Sequence, residues 1–349
     1  MLFLKVQIGL RYAGRRPDRE RRGVEPNEGD AGNRGEGVVI NAGSGHCTVV
    51  CDGREIPCRL RGRLKQGLQT ERTLVVAGDR VRIAPVPGDP AIAVVEEVLP
   101  RRNRISRTSS KRERGRREQV MMANLDQVVV VQSVRQPEPS GGLIDRLLVA
   151  AERYGVEGVL CLNKVDLDPA AAAAPAWDHY RSIGYVVLRT SVVSGEGIDA
   201  FRDRLQGRIS LLLGASGTGK SSLLARATGL VLRIGEVTAK TGLGRHTTTQ
   251  TELYPLGNGG FIADTPGIRG FDPWDVAPIE LREWFPDFTA PAQTCRYDTC
   301  LHRDEPDCGV KRAVAGGELP AWRLAAYLGI LKDLQERDVV RGPQRRRSS

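Results

Sequence analysis

Eight consecutive residues, Gly214-Ala215-Ser216-Gly217-Thr218-Gly219-Lys220-Ser221, fit the pattern GxxxxGK[ST]. The chemistry this pattern serves is the cradling of a polyphosphate. Its glycines let backbone N–H groups turn toward phosphate oxygens, and a helix on its carboxyl side adds its positive N-terminal end. Lys220 is then placed to reach the β- and γ-phosphates, and the Ser221 hydroxyl to ligate Mg²⁺. The flanks agree, since residues 208–213 read as a buried parallel strand and Ser222 to Thr228 as a helix.

A second loop, Asn163-Lys164-Val165-Asp166, succeeds the apolar run Gly158 to Leu162. A strand there would deliver it to the carboxyl edge of a sheet, where α/β folds bind ligands. Asp166 can accept hydrogen bonds from N1–H and N2–H₂ of guanine, a donor pair that adenine lacks. Lys164 would lie along the base, and Asn163 would tie this loop to the phosphate loop. Thr190-Ser191-Val192 ends the next strand and supplies a second base-side loop through Ser191.

Beyond the phosphate loop stand Gly244-Arg245-His246-Thr247-Thr248-Thr249 and Asp264-Thr265-Pro266-Gly267. The DxxG after Phe261-Ile-Ala263 reads as a γ-phosphate sensor, with Asp264 holding Mg²⁺ through water and the Gly267 N–H on the phosphate. Thr247 or Thr248 offers a hydroxyl to the same Mg²⁺, and Thr248 is carried forward as that ligand beside Ser221. The position after DxxG is Ile268, which cannot orient a water, so His246 is the catalytic candidate. The nucleotide-binding set is therefore Asn163, Lys164, Val165, Asp166, Ser191, Gly214, Ala215, Ser216, Gly217, Thr218, Gly219, Lys220, Ser221, Ser222, Thr248, Asp264 and Gly267.

The order of these parts is unusual. A GTPase ordinarily opens on its phosphate loop and closes on NKxD, whereas here NKVD comes first. A domain whose termini lie close together can be re-cut without changing its packing. The sequence thus predicts a circularly permuted P-loop GTPase, in which the γ-phosphate sensor runs directly into the carboxyl-terminal module. That wiring suits a protein that reports nucleotide state to a large partner.

The carboxyl-terminal module carries a metal-binding pattern, Cys295-x₄-Cys300-x-His302-x₅-Cys308. Three thiolates and an imidazole suit one tetrahedral, structural Zn²⁺ with no open position for catalysis. The surrounding segment is polar, so a metal would help it fold. Cys47, Cys51, Cys58 and Cys161 lie in strand-like stretches and read as small core residues.

Length and charge bound the remainder. At 349 residues the chain holds two or three domains, and a formal charge of +10 points to a polyanionic partner larger than a nucleotide. Nine cations between Arg101 and Arg117 face only Glu113, a run that serves either an RNA backbone or a solvated linker. No apolar stretch is long enough for a membrane span, and the first ten residues, interrupted by Lys5, lack an export cleavage site. A cytoplasmic protein with no membrane partner is expected, consistent with seven cysteines and no disulfide framework.

Four regions result. Residues 1–34 read as a disordered extension. Residues 35–112 hold five short strands (37–40, 47–51, 55–60, 75–83 and 92–98) and read as an OB-fold β-barrel with a basic linker. Residues 113–285 are the permuted GTPase domain, and 286–349 are a zinc-binding α-helical domain with the helix Ala321 to Glu336 and a basic tail. The fold class is multidomain α/β. Two rival readings are an ATP-using P-loop enzyme, against which Asp166 argues, and an RNA-binding scaffold with a weak or vestigial nucleotide site.

Taken together, Ala123-Asn-Leu-Asp-Gln127, NKVDL at 163–167, GASGTGKSS at 214–222, HTTT at 246–249, DTPG at 264–267 and the cysteine–histidine cluster resemble the RsgA (YjeQ, YloQ) family of small-subunit-dependent GTPases, over about residues 35 to 340. That resemblance implies hydrolysis of GTP to GDP stimulated by the 30S ribosomal subunit during its late maturation. It also implies that the barrel and zinc domain touch 16S rRNA, that hydrolysis is coupled to release, and that the protein is a monomer. Some permuted GTPases bind an activating K⁺ through an asparagine in the phosphate loop. Gly217 occupies that position here, so that ion is not part of the prediction and the point stays open.

Overall fold

The computed structural model describes residues 35–43, 45–61, 75–108, 118–231, 251–263 and 276–341. Expectations for the extension 1–34, for His246, Thr248, Asp264, Gly267 and Ile268, and for residues 109–117 of the basic run lie outside them.

The first strands are β1 (Gly35–Ala42), β2 (His46–Cys51), β3 (Arg54–Leu60), β4 (Arg80–Val86) and β5 (Asp89–Val98). They close into a barrel in the order β1-β2-β3-β5-β4, with β4 returning to β1 and β3 parallel to β5, which is OB topology. Period-two alternation builds it: along β2, Cys47, Val49 and Cys51 point inward between half-buried or exposed neighbours. Cys58 joins them, so three of the four cysteines read as core residues fill this barrel, and Cys161 is buried in the large sheet.

One expected strand is displaced. Val75 to Asp79 is not extended ladder, and β4 starts at Arg80 and runs on to Val86. Asp79 is fully buried, takes the Val76 N–H at 2.8 Å and pairs with Arg101 at 2.7 Å, so the apolar run 75–77 is a packed turn. Arg101 of the basic run is thereby spent inside the protein, while the exposed Arg102 pairs with Asp126 at 2.7 Å. A hairpin of β6 (Arg104–Thr108) and β7 (Glu118–Ala123), which the sequence does not announce, pairs chain on either side of residue 112.

The large sheet contains β8 (Gln127–Ser133), β9 (Glu157–Asn163), β10 (Val186–Arg189), β11 (Ile209–Leu213), β12 (Leu253–Pro255) and β13 (Phe261–Ala263). Its order is β10-β9-β8-β11-β13-β12, parallel except for the β12 edge. All seven residues of β8 are buried, as a strand covered on both faces requires. The chain steps outward from β8 through β9 to β10. It then returns as β11 on the other side of β8, with β13 beyond. This reversal opens a crevice at the carboxyl ends of β8 and β11, with the loops after β9 and β11 on its rim. Taken from β11 onward and then from β8 to β10, the strands recover the usual phosphate-loop-first order, so the domain is circularly permuted.

Helices α1 (Gly141–Arg153), α2 (Pro169–Ala172), α3 (Pro175–Ser182), α4 (Ile198–Leu205) and α5 (Lys220–Thr228) flank the sheet, over two apolar clusters. The C-terminal lobe has two single-turn helices at Leu281–Trp284 and Pro286–Phe288, then α6 (Thr289–Ala292), α7 (Gly309–Ala315) and the long α8 (Ala321–Arg341). Phe285, Phe288 and Tyr327 form its centre, with ring centroids 5.0 to 5.2 Å apart. The lobe is fixed to the sheet domain by Val149 of α1 and by the buried Arg323, which pairs with Asp145 of α1 and Asp287. Among the described residues no helix is long and apolar enough to cross a membrane.

Candidate functional site

Backbone conformation sets the phosphate loop. Gly214 has φ +147° and passes so close to β8 that a Cβ would stand 2.1 Å from the Val131 carbonyl oxygen. Gly219 caps α5 at φ +91°, and a Cβ there would stand 2.4 Å from Asn163 Nδ2. Both positions exclude any side chain, and together they turn the loop tightly into the helix. The Thr218 hydroxyl donates to Ala215 O at 3.0 Å and holds the turn.

Lys220, at the first position of α5, donates from Nζ to Gly214 O at 3.0 Å and Ala215 O at 2.8 Å. Burial holds its ammonium below the usual lysine range, an environment that an adjacent anion would relieve. Ser221 and Ser222 come next on the same turn. Ala215 is half-buried, and Ser216 and Gly217 form the exposed rim.

The loop after β9 meets this turn directly. Asn163 Nδ2 donates to Thr218 O at 2.9 Å, and its Oδ1 accepts from the buried Thr190 hydroxyl at 3.1 Å. Lys164, at φ +59°, spans the crevice, with Nζ donating to Gly217 O at 2.8 Å and Gln136 O at 2.5 Å. Val165 is buried beneath the loop, while Asp166 is exposed at the edge. The Ser191 hydroxyl donates to Asp166 Oδ1 at 2.5 Å and accepts from Ser194 N at 3.0 Å. One exposed carboxylate thus stands on the loop that Asn163 and Lys164 tie to the phosphate loop. That pairing can read a purine at one end and hold a polyphosphate at the other.

Two contributors are not evident in the sequence motifs. The segment 134–140 after β8 supplies the Gln136 carbonyl and lays Pro137 3.6 Å from where a Gly217 Cβ would be. Its position at the carboxyl edge of a buried strand is the one signal that could have found it. Thr190 reads from sequence only as part of a strand end, yet its hydroxyl sets which way the Asn163 amide faces.

The second site lies in the C-terminal lobe. The ligand atoms of Cys295, Cys300, His302 and Cys308 all lie within 4.8 Å of one another, so the cluster could hold a metal ion. His302 Nδ1 is 3.5 Å from Cys295 Sγ and 3.4 Å from Cys308 Sγ, and those two sulfurs are 4.0 Å apart. A tetrahedral ion with bonds of about 2.0–2.3 Å needs donor separations of roughly 3.5–3.8 Å, so the donors fit. Burial, with Arg282 nearby, lowers the His302 pKa to about 4, and burial raises that of Cys300 to about 12. Without a cation the imidazole is neutral and the thiol protonated. The Gly309 N–H donates to Cys295 Sγ at 3.3 Å, support of the kind a thiolate ligand takes.

The permuted sheet, its phosphate loop, the amino-terminal barrel and the cysteine–histidine lobe define a circularly permuted P-loop GTPase with two appended modules. Residues 98–274 match the RsgA GTPase family. The small ribosomal subunit biogenesis GTPase RsgA of Moorella thermoacetica is 40% identical over 305 residues, 87% of this chain and 98% of the relative. Its counterpart from Bacteroides fragilis is 36% identical over 304 residues, 86% and 96% of the two chains. YjeQ from Thermotoga maritima superposes with a TM-score of 0.68 at 32% identity, over 87% of this chain and 99% of that one. YloQ, a circularly permuted GTPase, gives 0.66 at 28% identity over 89% and 97%. The chain belongs to the RsgA GTPase family.

Proposed function

We propose that this protein hydrolyses GTP to GDP and phosphate while engaged with the small ribosomal subunit, acts late in that subunit's maturation, and couples hydrolysis to its own release. The observation that carries the reading is the bond from Asn163 to Thr218 O, which locks a guanine-type base loop onto the phosphate loop. A vestigial site would have no need of that registration. The relatives are named as small-subunit biogenesis GTPases, and a net charge of +10 fits an rRNA partner.

In this reading Asp166, oriented by Ser191, selects guanine, and the Lys164 stem lies along the base. Residues Gly214 to Ser222 bind the phosphates, with Lys220 leaving its carbonyl partners for phosphate oxygens. Asp264 and Gly267 sense the γ-phosphate, and His246 activates the attacking water. Ser221, on the first turn of α5, and Thr248 offer the hydroxyl oxygens that Mg²⁺ takes, and that ion neutralises charge on the β- and γ-phosphates. Cys295, Cys300, His302 and Cys308 hold one structural Zn²⁺, which fixes the knuckle between α6 and α7. The barrel and this lobe contact 16S rRNA, and the protein works as a cytoplasmic monomer.

Co-sedimentation with purified 30S subunits tests the proposal. Binding should be firm with a non-hydrolysable GTP analogue and weak with GDP. Equal binding in both nucleotide states would remove the coupling to release.

A further inference from the structure

Two adjacent residues that no motif contains, Arg135 and Gln136, grip the turn that carries Asp166 from both sides. The Leu167 N–H donates to Lys164 O at 3.0 Å and closes that turn. Asp168 follows, and its Oδ1 takes the Ala171 N–H at 2.8 Å to cap α2. On the near side of the turn, Lys164 Nζ donates to Gln136 O. On the far side, Arg135 Nε and Nη2 meet Asp168 Oδ2 at 2.9 and 2.8 Å. The other arm of the same guanidinium, Nη1, donates to Glu138 Oε1 at 2.7 Å.

Backbone conformation shows that this contact is built. Gln136 has φ +52° and Lys164 φ +59°, left-handed values that residues with side chains rarely adopt and that persist where the surroundings enforce them. The Ser133 hydroxyl donates to Pro137 O at 2.8 Å and holds the segment against the end of β8. Asp166 itself is exposed, with its Oδ1 on the Ser191 hydroxyl. The placement of its carboxylate therefore depends on the backbone to either side.

An isolated exposed ion pair contributes little, because two long side chains must be ordered to make it. Here Asp168 is already ordered by its cap, and Glu138 fixes the second arm of the planar fork. The Ala171 N–H and the Arg135 guanidinium together hold the Asp168 carboxyl below the usual carboxylate range, so it stays ionised at neutral pH. We propose that Arg135 is a positioning residue for base selection, fixing the turn through Asp168 so that the Asp166 carboxylate meets both N1–H and N2–H₂ of guanine. This role rests on Asp166 as the base-selecting group.

Hypoxanthine keeps N1–H and lacks the N2 amine, so the ratio of GDP to IDP affinity reads the second of those bonds. Competition against a fluorescent guanine nucleotide on the full-length protein measures it. The native protein should favour GDP by about tenfold or more, the scale of one hydrogen bond to a charged group. Arg135→Ala should lower that ratio by roughly threefold, near the upper end for an exposed pair, whereas a loss of stability alone would weaken both nucleotides equally. Asp168→Asn, which keeps an acceptor for the α2 cap but loses the charge, should lower the ratio similarly. Adding Arg135→Ala to Asp168→Asn should lower it no further. An unchanged ratio in Arg135→Ala, or a full further fall in the double variant, would overturn the proposal. Equal GDP and IDP affinity in the native protein would instead remove Asp166 as the base-selecting group, and the role of Arg135 with it.

Discussion

Asn163 and Thr218, 55 positions apart, are joined by a 2.9 Å hydrogen bond from the Asn163 amide to the Thr218 carbonyl. Through it, the end of β9 and the turn between β11 and α5 share one geometry. The two loops therefore cannot drift independently.

Asn163→Ala should weaken GDP and GTP binding together. The variant leaves the Thr218 carbonyl and the buried Thr190 hydroxyl without this partner, at about 1–3 kcal/mol for an unmatched group. That corresponds to a loss of roughly tenfold to a hundredfold in affinity, readable by titration with a fluorescent guanine nucleotide. Affinity within twofold of native would show that the two loops are positioned by other contacts.

Asp166→Asn should exchange GTP for xanthosine triphosphate. On the proposed reading the carboxylate would accept from two guanine donors, and an amide would present the donor that the xanthine O2 accepts. The Ser191 hydroxyl, 2.5 Å from Asp166 Oδ1, can serve either group. Competition between the two nucleotides measures the switch, and an unchanged preference for GTP would move base selection elsewhere.

Much of this site was legible because its information is local. The phosphate-loop glycines, Lys220 and Ser221 occupy eight adjacent positions whose backbone demands are written in residue type. Strands β8, β9, β11 and β13 were legible for a similar reason, since a buried parallel strand is an unbroken apolar run. Val75 to Asp79 misled because burial came from a turn packed around the Asp79–Arg101 pair, which sequence periodicity does not encode. The β6–β7 hairpin hid inside a charge run, and Arg323 meets Asp145 across 178 positions, a pairing that no local pattern announces.

That pairing gives a stability prediction. Arg323 is 2% exposed and answers two buried carboxylates, so Arg323→Ala leaves both short of their cation. Removing one partner of a buried ionic cluster costs about 3–5 kcal/mol. Chemical denaturation should show that loss, with guanine-nucleotide affinity in the folded fraction unchanged because the crevice lies elsewhere. A loss under about 1 kcal/mol, the scale of an exposed pair, would mean that His179, 3.0 Å from Asp287, already suffices.

The metal prediction concerns the same lobe. Cys300 is 1% exposed and sits in the apolar cluster with Phe285, Phe288 and Tyr327. Cys300→Ala should lower the metal content from about one Zn²⁺ per chain toward zero and melt the lobe at lower temperature, because metal binding and folding of such a knuckle are one process. Nucleotide affinity should persist and 30S binding should fall. Full metal content in the variant would place the ligands elsewhere.

GTP hydrolysis by this chain should answer to the small ribosomal subunit. Steady-state GTP turnover measured with and without purified 30S subunits tests it most directly. Ile268 stands where a water-orienting glutamine would, so turnover by the isolated protein should be slow, on the order of 10⁻⁴ to 10⁻² s⁻¹ as for unassisted GTPases. Addition of 30S subunits should raise it by at least two orders of magnitude, less so as salt increases, and ATP should not substitute. Turnover that is unchanged by the subunit, or equal for ATP and GTP, would contradict the account.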